Sequence, residues 1–193
     1  MRGIYLASFK AVHEDHDIVY QDIIGDRDIG GDMMDVDLTP YDYIIATPPC
    51  NWWSRANYRR NSSEYALKTK HLLIDILHKL ANQDKPFIVE NVRNEVQFKK
   101  HGLFDLGLYV YRIGRHTYWS NILFKSDDII QEAKVDYKNG KKRWLSSQHL
   151  SKNKRQGGDD VHEVIERFIQ EMEENYGKHK RKHQTSPFKL YLC

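Results

Sequence analysis

At 193 residues the chain can bury about 70% of its unfolded surface in one core and is too short for two comfortable ones. Hydrophobic residues at 40%, with 12% aromatic, exclude disorder of the whole chain, while 30% charged residues and a mean hydropathy of −0.73 describe a strongly solvated globule. The net charge of +3 conceals an acidic start and a basic later region, and two cysteines, Cys50 and Cys193, exclude a disulfide framework or a cysteine zinc cluster, so no metal is expected.

No apolar run approaches the roughly 20 residues of a membrane helix. Met1-Arg2-Gly3-Ile4 lacks the apolar stretch of a signal peptide, which predicts an intracellular, cytoplasmic protein with no membrane partner. Residues 1–49 carry ten acids against three bases. Within the first half β-prone runs at 4–7, 17–23 and 41–46 alternate with helical stretches, and a further run follows at 86–89. That alternation predicts an α/β sheet, mainly parallel. Between the last two runs lies the clearest helix. Asn61, Ser62 or Ser63 caps it, and Ala66, Leu67, Leu73, Ile74, Leu77, Leu80 and Ala81 recur at three- and four-residue spacing.

Beyond Gly102, strand-like segments at 106–113 and 117–124 flank a Gly114 turn and predict a closing β-hairpin. Residues 137–156 hold seven bases and no acid. Lys141, Lys142 and Arg143 beside Trp144 suit phosphate tracking combined with base stacking, and equally suit a solvated loop. Asp159 or Asp160 then caps an amphipathic helix with the stripe Val161, Val164, Ile165, Phe168, Ile169 and Met172. The predicted organisation is a catalytic domain over 1–124, a basic loop over 125–158, a helix packed on the same domain over 159–177 and a flexible basic tail over 178–193.

Two strand ends carry the chemistry. The run Tyr41-Asp42-Tyr43-Ile44-Ile45-Ala46 passes directly into Thr47-Pro48-Pro49-Cys50-Asn51-Trp52-Trp53-Ser54. The internal cysteine therefore sits on a proline-stiffened loop at a carboxyl strand end, the edge where open α/β sheets bind ligands. A second strand, Phe87-Ile88-Val89, delivers Glu90-Asn91-Val92 to the same edge, where partial desolvation favours a carboxyl able to donate a proton. Alone, Cys50 reads as a buried structural thiol and Glu90 as a surface acid.

Taken together, Pro-Pro-Cys and Glu-Asn-Val, about forty residues apart and separated by one helix, resemble the catalytic pair of the DNA cytosine carbon-5 methyltransferases. The resemblance extends to Gly31-Asp32-Met33, to Ser54 and to Arg115-His116-Thr117-Tyr118-Trp119-Ser120-Asn121, with Arg112 and Arg115 straddling Ile113-Gly114. It covers roughly residues 17–124 and is nearest to the short, phage-type members, which implies a host-cell cytoplasm. It implies a Rossmann-like methyltransferase sheet, reduced at its N-terminus. A Cys50 thiolate would add to carbon 6 of cytosine, Glu90 would hold ring nitrogen 3 and the amino group, and Arg115 would support the carbonyl. Asp22, Asp32 and Pro48 would bind S-adenosylmethionine, while Ser54, Asn91, Lys141, Lys142 and Arg143 would bind the DNA substrate, whose target base must be flipped out or unpaired.

The sequence departs from that family at the cofactor's glycine-rich loop. Sliding the pattern back from Asp22 without a gap keeps Gly3, puts Tyr5 where the second glycine belongs and deletes the first strand. Inserting a gap keeps residues 4–7 as the strand and deletes the loop. Only residues 125–158 remain for target recognition, which implies minimal sequence specificity or help from another subunit, a second copy included. The competing expectations are a degenerate relative acting as a DNA- or protein-binding module, and a hydroxymethylase-like enzyme with another one-carbon donor.

Overall fold

The apolar runs Tyr43–Ala46 and Phe87-Ile88-Val89 become strand segments buried on both faces, and the computed structural model describes residues 18–22, 29–123, 135–138, 141–144, 159–175 and 189–192. The strands are β1 (Ile18–Asp22), β2 (Ile29–Gly30), β3 (Tyr43–Ala46), β4 (Phe87–Val92), β5 (Tyr109–Ile113), β6 (His116–Ser120), β7 (Val135–Lys138), β8 (Lys141–Trp144) and β9 (Lys189–Leu192). Among the described residues the helices are α1 (Glu64–Thr69), α2 (Leu72–Ala81), α3 (Glu95–Lys100) and α4 (Asp159–Asn175). No described helix is long and apolar enough to cross a membrane.

The protein is α/β, built on an open mixed sheet with the strand order β2-β1-β9-β3-β4-β6-β5. β1 pairs in parallel with β2 and β9, β9 with β3, and β3 with β4. β6 runs antiparallel to β4 and to β5, forming the hairpin expected around Gly114, whose φ is 55°.

Strand alternation divides the core between the two faces. Tyr43, Ile45, Ile88 and Tyr118 pack with the α4 stripe Val161, Val164, Ile165, Phe168, Ile169 and Met172. Ile44, Ala46, Phe87, Val89 and Trp119 pack on the other side with Leu73, Ile76, Leu77 and Leu80 of α2 and Phe98 of α3. Helices cover both faces, which is why β3 and the start of β4 are continuous apolar runs rather than alternating ones.

Three expectations are corrected. The single helix expected before residue 81 is two helices: Ser63 caps α1, its hydroxyl accepting from the Ala66 N–H at 3.3 Å, and a break at Lys70-His71 precedes α2. Thr69 contributes to that break by donating its hydroxyl back to the Tyr65 carbonyl at 2.8 Å, a local bond that competes with helix continuation. The basic stretch expected as a loop contains the β7–β8 hairpin, a separate two-stranded sheet that places Lys141, Lys142 and Arg143 on β8. The expected flexible tail ends in β9, hydrogen-bonded on both sides in the middle of the large sheet. The candidate strand at 4–7, the Gly3 and Tyr5 positions and residues 178–188 of the expected basic tail lie outside the described residues.

Candidate active site

The Cys50 loop begins where β3 runs out of backbone donors. Pro48 and Pro49 carry no N–H and cannot continue the ladder. The parallel register Ala46↔Val89 sets Thr47 alongside Glu90, and the chain then crosses the tip of β4. There the Asn91 amide donates to the Pro48 carbonyl at 2.9 Å, a buried bond, while Asn91 Oδ1 accepts from the Val92 N–H at 3.0 Å.

Three further contacts fix the loop. The Ser54 N–H donates to the Cys50 carbonyl at 2.8 Å. The Asn57 amide donates to the Asn51 carbonyl at 2.8 Å, and the Asn94 amide to the Trp53 carbonyl at 2.6 Å. Trp53 itself is fully buried against Phe98 and His101, with ring centroids 5.5 and 5.4 Å away. Its indole nitrogen has no hydrogen-bond partner among the described residues, so the ring anchors by packing alone. Cys50, half-buried, is carried between these anchor points.

Glu90 and His116 meet on neighbouring antiparallel strands, because the register Glu90↔Tyr118 and Val92↔His116 makes them diagonal neighbours on one face. The His116 Nε2 stands 3.7 Å from the Glu90 Oε1, and both side chains are largely shielded, at 13% and 15% exposure. The His116 ring also contacts Tyr118, centroid to centroid 6.4 Å. Arg115 lies on the β5–β6 turn, its carbonyl accepting from the Arg93 N–H at 2.7 Å, so the turn is tied to the end of β4. Arg112 is engaged elsewhere, with its Nε 3.4 Å from Glu95 and its guanidinium 4.8 Å from the Phe104 ring centre.

Among the expected cofactor residues, Asp22 ends β1 opposite Gly30. Asp32 is exposed and accepts the Met34 N–H at 2.9 Å, a local turn contact. Pro48 is buried at the loop pin. Gln21, fully buried, donates its amide to the Gly31 carbonyl and ties the end of β1 to the following turn.

The same turn opens an acidic loop over residues 31–41 that two lysines clamp. Lys79 donates to the Met34 and Val36 carbonyls at 2.8 and 3.0 Å. Lys85 donates to Leu38, Thr39 and Tyr41 at 2.7, 2.6 and 2.5 Å. Desolvation holds both ammonium groups below the ordinary lysine range, against the opposing pull of Asp35, Asp32 and Asp37 on Lys79 and of Asp37 on Lys85. The exposed Asp37 carboxyl is held below its usual range, chiefly by the Thr39 N–H and then by the Thr39 hydroxyl.

The structure thus brings the loop of Cys50, Glu90 and Arg115 to one edge of the sheet. It corrects Asn91 from a substrate contact to a positioning residue, since the side chain is 1% exposed with its amide engaged on Pro48. Ser54 likewise serves the loop, its hydroxyl accepting from the Ala56 N–H at 3.3 Å. Lys141, Lys142 and Arg143 belong to the separate hairpin. In the sequence His116 stands only as a neighbour of Arg115 in the motif and carries no role of its own, although its alternation with Tyr118 on a strand facing Glu90 was a usable signal. It also passed over the basic run next to Cys50 itself: residues 51–70 hold Arg55, Arg59, Arg60, Lys68 and Lys70 against Glu64 alone.

These features define an α/β protein with a cysteine loop and a carboxylate delivered by adjacent strand tips. Comparison with protein-family models, with curated proteins and with solved structures finds no match to this chain.

Proposed function

We propose that the chain is a DNA cytosine carbon-5 methyltransferase with Cys50 as its nucleophile. The observation that carries this reading is the 2.9 Å bond from Asn91 to the Pro48 carbonyl. It joins the Pro-Pro-Cys and Glu-Asn-Val motifs physically, so that sulfur and carboxylate are held by one rigid unit rather than by two independent loops. In the proposed reaction the Cys50 thiolate forms a bond to carbon 6 of cytosine, and the displaced electron pair moves toward carbon 5. Glu90 holds nitrogen 3 and the amino group while His116 fixes the carboxylate's direction, and Arg115 faces the ring carbonyl. Once carbon 5 had taken up the methyl group that bound S-adenosylmethionine would supply, its proton would pass to a solvent base, and the electron pair of that carbon–hydrogen bond would re-form the ring double bond and expel the thiolate.

The sheet supports a Rossmann-like reading in which β9 supplies the strand that the ungapped register from Asp22 leaves out. Strand order reverses at β9, between β1 and β3, and ligands of open α/β sheets bind outside the carboxyl ends of strands at such a switch. The exposed carboxylate of Asp32, with Asp22 closing β1, fits a ligand carrying ribose hydroxyls and an adenine amino group; these residues, with Pro48, would hold S-adenosylmethionine. When bound, that cofactor supplies an electrophilic methyl group. On this reading the chain is a permuted methyltransferase sheet whose central strand, β9, follows α4 in the chain.

Incubating the protein and S-adenosylmethionine with DNA containing 5-fluorocytosine should leave a denaturation-resistant adduct, because fluorine cannot leave as the carbon-5 proton does. Cys50→Ala should abolish the adduct while circular dichroism stays unchanged. A wild-type protein that binds DNA yet forms no adduct would sink the enzymatic reading. For the permuted sheet, Leu190→Pro removes a ladder donor between Val19 and Ile44. It should abolish the cooperative melting transition, and an unchanged melting curve would remove β9 from the sheet.

A further inference from the structure

The segment leaving Cys50 combines features that the proposed chemistry does not use. Tyr58 is 85% exposed, the most exposed large hydrophobic side chain among the described residues. The guanidinium of Arg59 lies 5.4 Å from its ring centre. Lys70 Nζ lies 5.8 Å from the ring centre of half-buried Trp52. Arg55, Arg59, Lys68 and Lys70 are exposed, and Glu64 is the single acid in residues 51–70.

The backbone here is ordered by its own turns. Asn57 N–H donates to Ser54 at 3.2 Å, Arg60 N–H to Asn57 at 3.3 Å, and the Ser62 and Ser63 N–H groups both donate to the Arg59 carbonyl at 2.9 Å. A tyrosine held out in water on such a scaffold gives up little further freedom on stacking, while Arg59 beside it and the other cations of the segment are left without matching acids until an anion arrives.

We propose that residues 51–70 form a platform for an unpaired polynucleotide strand, with Tyr58 stacking on a base and Arg55, Arg59 and Lys70 holding the flanking phosphates. This rests on the reading of Cys50 as a nucleophile toward a DNA base and adds the strand state of the substrate. An aromatic face selects unpaired bases, because those of a duplex are already stacked on one another. The cations by themselves would serve single and double strands alike.

The test uses a fluorescently labelled oligothymidylate of about 20 nucleotides, long enough to span one binding groove, and the same probe annealed to its complement, read by anisotropy across a salt series. Thymine strands carry no cytosine, so this binding is independent of Cys50 chemistry, and the 5-fluorocytosine trap reports on that chemistry separately. The wild type should prefer the single strand. Tyr58→Ala should weaken single-strand binding by about tenfold, within the range that removing one base–aromatic stack produces, with duplex binding unchanged, and Tyr58→Phe should restore it. Arg55→Ala with Arg59→Ala should lower the single-strand salt slope by about 0.7 for each phosphate no longer neutralised. Equal affinity for both probes, a preference for the duplex, no binding at all, or single-strand binding indifferent to Tyr58→Ala would each overturn the proposal.

Discussion

Two loops of this protein follow β-strands, and they are held in opposite ways. The Cys50 loop is fixed by neutral amides, Asn91 on Pro48 and Asn94 on Trp53, in buried surroundings. The acidic loop over residues 31–41 is fixed by the ammonium groups of Lys79 and Lys85, which reach its carbonyls from a half-buried position. An amide clamp carries no charge to desolvate and does not titrate, so it holds a reactive group in one place across pH. A lysine clamp tolerates an exposed, acid-rich loop, at the cost of desolvating a cation. The contrast places rigidity where chemistry is proposed and adjustability where solvated turns run.

The contrast can be broken at four points. The largest effect should come from Trp53→Ala, which removes a fully buried indole and should destabilise the protein by about 3–5 kcal/mol in urea unfolding; Trp53→Phe should cost far less, since the indole nitrogen bonds no described residue. Next, Asn91→Ala strands the Pro48 carbonyl and the Val92 N–H and should cost about 1–3 kcal/mol, together with the 5-fluorocytosine adduct. Retention of full adduct yield would mean that the clamp does not position Cys50. Lys85→Met should be milder, about 0.5–1.5 kcal/mol, because the carbonyls it leaves can turn to water, and it should leave the adduct intact.

The smallest effect concerns pH. Burial lowers both lysines relative to the ordinary 10.5, so in the window just below that value the unfolded chain binds more protons than the folded one. Stability therefore rises with pH through this window. Lys79→Met with Lys85→Met should flatten the rise, and a double variant that keeps the wild-type slope would assign it to other groups.

Much of the candidate site was legible because its signals are local. Proline after a β-prone run ends a strand wherever it falls, so the Cys50 loop and its edge could be placed from residues 41–54. The apolar stripe of α4 needed only its 3.6-residue period. Asn91 was misassigned because its partner, the Pro48 carbonyl, lies 43 residues away and a backbone acceptor leaves no mark in composition. Ser120 and Asn121 stood out only as part of a motif; their side chains bond the Phe87 carbonyl at 2.6 Å and the Lys85 carbonyl at 2.8 Å and bind β6 to the start of β4. The exposed Tyr58 looked like one aromatic among twelve tyrosines, since exposure is a property of the packed molecule.

By itself the sequence determined the strands that carry the two tips, the amphipathic stripe of α4 and which residue types sit on the tips, because turn chemistry and hydrophobic period act over a few residues. Tertiary structure alone decided that Lys189–Leu192 lies between β1 and β3, that His116 stands 3.7 Å from Glu90, and that the basic stretch holds a separate hairpin. The period of a strand states which faces are apolar and leaves open which strand it pairs with. That choice is made by backbone hydrogen bonds and side-chain packing between residues far apart in the chain.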